Sequence, residues 1–104
     1  MEFVLLHRMI GTPTPESLKG IIELSKRAEE LVPQGKLIAS YSFIAKAGSL
    51  CIWEVLNVEA LVPIISQLIN LGMETEVIPA EKTEVAIPKL EKAVAEWLEQ
   101  LAKK

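Results

Sequence analysis

At 104 residues, half of them hydrophobic, the chain can build one core but not two domains. Its formal charge of −3 and the absence of any basic run longer than two residues argue against a nucleic-acid partner. A single cysteine excludes an internal disulfide framework and suits a reducing cytoplasm, the expected location.

In chain order, residues 2–10, EFVLLHRMI, read as a buried strand, apolar on both parities and interrupted only by His7 and Arg8. With Glu2 leading into that run, no signal peptide is expected. Gly11 to Pro15 is a turn with helix-start chemistry: Thr14 suits the N-cap, Pro15 the first helical position, and Glu16 complements the dipole. A helix is predicted over about 15–32, with Leu18, Ile21, Ile22, Ser25, Ala28, Leu31 and Val32 as its buried stripe, ended by Pro33-Gln34-Gly35.

Residues 36–45 read as the second strand and 49–56 as the third, rich in Ile52, Trp53 and Val55. Lys46-Ala47-Gly48 would close a three-residue hairpin with the glycine left-handed. That register sets Tyr41 opposite Trp53, Phe43 opposite Cys51 and Ser40 opposite Glu54. One face is then aromatic, and the other mixes Ile38, Ile44, Leu50 and Ile52 with Ser40, Ser42 and Glu54. Asn57 stands where an N-cap belongs. From Ala60 to Met73 there is no charge, with Pro63 delaying or kinking the helix and Gly72 stopping it. Fourteen uncharged residues are too few to span a bilayer, so no membrane partner is expected; such a helix should be buried on nearly every side. Residues 73–80 read as the fourth strand, whose alternating Glu74 and Glu76 suggest a partly exposed edge. Residues 81–87 read as a connector with a short strand near 83–87. Pro88 then opens a helix striped by Leu90, Val94, Trp97, Leu98 and Leu101.

The order βαββαβ plus one helix predicts an α+β, ferredoxin-like fold: a four-stranded antiparallel sheet with helices on one face. Residues 1–80 form the main unit, and 81–104 are the connector and amphipathic helix of the same single domain. Two Asn and three Gln in the whole chain hint at a hot source.

No nucleotide loop, zinc spacing, catalytic Ser motif or HExxH is present. His7, the only histidine, reads either as a buried imidazole bonded to a backbone carbonyl or as a proton carrier or metal ligand. Glu54, the only acid inside the third strand, needs a partner such as Arg8 or a shifted pKa. Tyr41 and Trp53 read as cross-strand packing or as a binding box, and Cys51 as an inert buried thiol.

The strand carrying His7, then Thr14-Pro15-Glu16-Ser17-Leu18, then Ser40-Tyr41, then Cys51-Ile52-Trp53-Glu54 before a capped helix, resembles small members of the dimeric α/β barrel superfamily. The members it resembles are the nickel-responsive-type and muconolactone-isomerase-like barrel domains. The resemblance covers roughly residues 3–80. It implies a homodimer whose two sheets meet face to face, a pocket between sheet and helices in each subunit, and His7, Tyr41 and Glu54 as the recurring polar positions. The chain departs from the pattern at Leu5, where an acid is usual, and in having one histidine. Both departures weaken a metal assignment, since nickel or zinc wants several imidazole or thiolate ligands.

Two functions follow as expectations. One is a pocket for a small apolar or aromatic molecule, with cofactor-independent proton transfer through His7 and Glu54. The other is a ligand or divalent-metal binder, with His7 as a ligand completed by Cys51, Glu76 or a partner, or an assembly module. Self-association is expected because a sheet face carrying Tyr41, Phe43, Cys51, Trp53 and Val55 would have no helix to cover it.

Overall fold

A computed structural model describes residues 1–103. In chain order the elements are β1 (Glu2–Met9), α1 (Pro15–Lys26), α2 (Ala28–Leu31), β2 (Lys36–Ser42), β3 (Gly48–Glu54), a 3-10 turn (Val58–Leu61), α3 (Val62–Asn70), β4 (Met73–Ala80) and α4 (Thr83–Ala102). The chain is α+β, and its four strands form one sheet in the order β2-β3-β1-β4, every neighbouring pair antiparallel.

Local chemistry sets the helix ends. The Thr14 hydroxyl accepts from the Ser17 amide at 3.0 Å, and the Ser17 hydroxyl accepts from the Thr14 amide at 2.9 Å. This reciprocal box satisfies two otherwise free donors, as Thr14 promised. The predicted single helix over 15–32 is instead interrupted at Arg27 (φ −115°, ψ 11°). It resumes as one turn that buries Ala28 and leads to buried Val32. Asn57 makes no side-chain cap. Pro63 does delay the regular helix, which begins at Val62 after the 3-10 turn, and Gly72 ends it with φ 85°. That helix is not buried all round: Ile64 and Leu68 face the core, while Val62 and Ile69 are exposed. β4 is an edge strand with Glu74 and Glu76 exposed.

Alternation along β1 sorts the sheet. Phe3, Leu5 and His7 are buried beneath the helices, and Val4 and Leu6 lie half-buried on the opposite, open face. Phe3 pairs with Trp53, and Leu37 pairs with it from the other side. Trp53 is therefore fully buried on the helix-covered face. The core joins it to Phe3, Leu5, Leu24, Val32, Val55, Leu61, Ile64, Leu68 and Met73.

The predicted hairpin register is corrected here. Ser42 pairs with Ser49, Tyr41 with Leu50 and Ser40 with Cys51, so Tyr41 stays on the open face while Cys51 and Trp53 leave it for the covered one. Gly48 is the reason. It does not turn the chain but begins β3 opposite Arg8, at φ 150°, where an added Cβ would lie 2.7 Å from the His7 carbonyl oxygen. A glycine there permits close strand approach, which leaves residues 43–47 to make the turn. The Phe43 amide closes it on the Gly48 carbonyl at 3.0 Å. An irregularity at Ile38, between Leu37 and Ala39, shifts the register once more. The uncovered face is consequently not that of Cys51, Trp53 and Val55. It carries Val4, Leu6, Ala39, Tyr41, Leu50, Ile52 and Ile78 at its centre, with Glu2, Lys36 and Glu54 at one end and Arg8, Glu74 and Glu76 toward the other.

Residues 83–87 are not a strand but the opening of α4, and Pro88 lies inside that helix rather than at its start. The amides of Val85 and Ala86 both bond the Lys82 carbonyl. As the sixth helical residue, Pro88 cannot donate to the Glu84 carbonyl, and its ring crowds that carbonyl. No residue of α4 is buried. The radius of gyration is 17.9 Å and the longest extent 60 Å, against the ~13 Å radius of a compact domain this size. α4 is an arm. No described helix is long and apolar enough to cross a membrane.

Candidate functional site

Between the covered face of the sheet and the helices lies a cavity of about 230 Å³. Its sheet wall carries His7, Ser40, Ser42, Ser49 and Cys51, and its helix wall Leu18, Ile21, Leu24, Ile64 and Leu68. One wall offers hydroxyls and an imidazole, the other hydrocarbon. Ser25, Ser40, Ser42 and Ala47 are exposed lining residues and form the mouth beside the hairpin.

His7 is the one buried polar or charged residue among those described, at 3 % exposure. Its neighbour across the β1–β4 ladder is Thr75, whose Oγ1 lies 2.8 Å from the His7 Nδ1. The anticipated backbone carbonyl is replaced by this hydroxyl. Burial pushes the imidazole pKa down from its ordinary value, because the charged form loses hydration. The ring is thus held neutral near pH 7. If Thr75 donates to Nδ1, the proton sits on Nε2, which can donate it; if Nδ1–H donates to Thr75, Nε2 is a free base.

Cys51 Sγ lies 3.7 Å from Ser40 Oγ. Burial raises its pKa more than that hydrogen bond lowers it, so the group is a thiol at neutral pH and a poor nucleophile.

Glu54 and Tyr41 lie elsewhere. Glu54 is exposed on the open face, across from Glu2 and Lys36. Its β1 partner is five residues from His7, or ~16 Å along the strand. It helps line a separate, open concavity of about 750 Å³ with Lys36, Ile38, Ala80, Lys82 and Val85. Arg8 does not neutralise it but pairs with Glu74 at 3.2 Å. Tyr41 is 62 % exposed on the open face. The structure therefore does not bring His7, Glu54 and Tyr41 into one cavity.

Sequence reasoning missed Thr75, and it set Ser40 and Ser42 on the helix-covered face but left Cys51 and Trp53 off it. A signal for Thr75 existed, since it lies between two outward glutamates and must point inward. The placement of Cys51 beside these serines was lost with the hairpin register.

Among the described residues no group of three His, Cys, Asp or Glu side chains could hold a metal ion, and the cavity itself contributes only His7 and Cys51 of the imidazole or thiolate kind. A scan of protein-family models finds no match to the chain, and a search of curated proteins finds none either.

Proposed function

We propose that the chain is a ferredoxin-like domain of the dimeric α/β barrel type, acting in the cytoplasm as a homodimer, that binds a small, mostly apolar molecule beside His7. The strand order β2-β3-β1-β4, with two interleaved βαβ units, supports the fold assignment. The apolar centre of the open face, around Val4, Leu50 and Ile52, supports self-association through stacked sheets.

The binding reading is carried by one observation: the single buried ionisable side chain among the described residues lines a cavity and has one ring nitrogen already committed to Thr75. A dry cavity of about 150 Å³ takes a benzene, so by proportion this one suits roughly nine heavy atoms. Its two unlike walls favour a ring with one hydrogen-bonding edge. A neutral imidazole against such an edge could move a proton without a cofactor. With Glu54 on the other face, His7 would act with Thr75 rather than with a carboxylate. The second reading, a non-enzymatic binder, is favoured by the same separation, which leaves the cavity one proton carrier.

Calorimetry with phenol as the probe tests this. A saturable heat is expected from the wild-type chain. Ser40→Phe, a substitution at an exposed strand position of the mouth, should weaken it at least tenfold, or about 1.4 kcal/mol. No saturable heat from phenol, or equal binding by both proteins, contradicts the assignment.

A further inference from the structure

α4 carries Ile87, Leu90, Val94, Trp97 and Leu101 at alternating spacings of three and four, the period of a helix face made to be buried. Each is 44 % to 61 % exposed, and Leu98 beside them is 57 % exposed. A stripe this long does not stay open to water in a stable protein. We infer that α4 is an intersubunit arm whose apolar stripe packs on a second copy of this chain, within the assembly that covers the open sheet face.

Two observations choose a second copy over a foreign partner. The first is continuity. The base of α4 and the open face bound one concavity, with Val85 and Lys82 on one side and Ile38 and Glu54 on the other. A single body seated on the open face would therefore also meet the arm. The second is area. Four strands of seven to eight residues present a face of only ~480 Å², short of the ~800 Å² per partner of a standard interface. A helix of 20 residues is ~30 Å long and adds ~300 Å² along a stripe ~10 Å wide. Sheet face and arm together reach the size of a stable two-fold dimer, and neither does alone. This rests on the dimer proposed above but can fail without it.

Trp97 makes the test direct, since Trp53 is fully buried and Trp97 is 61 % exposed in the single chain. Sedimentation equilibrium and acrylamide quenching of the full chain at micromolar concentration should show a dimer with both tryptophans shielded. Val94→Glu/Leu98→Glu should then raise the dimer dissociation constant at least tenfold and expose Trp97. The far-ultraviolet circular dichroism should be unchanged, because α4 buries no residue in its own chain. A dimer in which Trp97 is quenched as freely as free tryptophan overturns the arm and leaves the sheet-face dimer standing. A monomer, whether Trp97 is open or shielded by its own chain, overturns both.

Discussion

Trp53→Ala should remove about 3–5 kcal/mol of stability, a large part of the roughly 5–15 kcal/mol that holds a domain of this kind together. The residue has no exposed surface and lies between Phe3 on β1 and Leu37 on β2. Its removal leaves a cavity under the helices that rigid strands cannot close. Trp53→Asp adds an unpaired buried charge and should abolish folding. Because Trp53 lies on the helix-covered face, that substitution breaks the fold rather than a dimer interface. Trp53→Phe should cost much less, because the indole Nε1 is buried without an acceptor and its loss removes an unsatisfied donor. Urea denaturation followed by circular dichroism ranks the three. A folded monomeric Trp53→Asp would show that the two faces of the sheet have been interchanged.

Ile52→Lys should do the opposite, dissolving the dimer while keeping the fold. Ile52 lies at the centre of the open face, between Val4 and Ala39, and is only half-buried within one chain. A lysine there can reach water in the monomer but would be an unpaired charge between stacked sheets. A loss of about 2.8 kcal/mol, or a hundredfold weaker association, is a minimal expectation. Sedimentation equilibrium at micromolar concentration measures it. A variant that dimerises as well as the wild type places the interface elsewhere.

The four strands and the helices between them were legible because each rests on local signals: the Thr14-Pro15 start, the uncharged run from Ala60, the glutamate alternation of β4. What was not legible depends on distant partners. Gly48 reads as a turn glycine until β1 is placed against it, where the His7 carbonyl needs the space. The irregularity at Ile38 likewise depends on which strand pairs with β2. The hairpin register reverses residues 39–42 against β3, and the irregularity at Ile38 restores the expected parity at Leu37; Tyr41, Ser40 and Ser42 keep their faces, while Leu50, Cys51, Ile52, Trp53 and Glu54 exchange theirs. Pro88 looked like a helix start because proline favours that place, although the helix begins five residues earlier. At the site, His7 was visible as a polar residue mid-strand among apolar ones. Its partner and the hydroxyl-lined wall came only with the sheet.

Imidazole-nitrogen NMR of His7, recorded across pH with and without phenol, bears most directly on the binding site. With one histidine in the chain the signals need no assignment. In the free protein the ring should be neutral at pH 7 and titrate below the ordinary value of about 6.5, as burial requires. Phenol should shift the resonances saturably, Nε2 more than the Thr75-bound Nδ1, and Ser40→Phe should suppress the shift. An imidazole that titrates like an exposed histidine, or that does not respond while phenol binds elsewhere, would contradict a ligand site at His7.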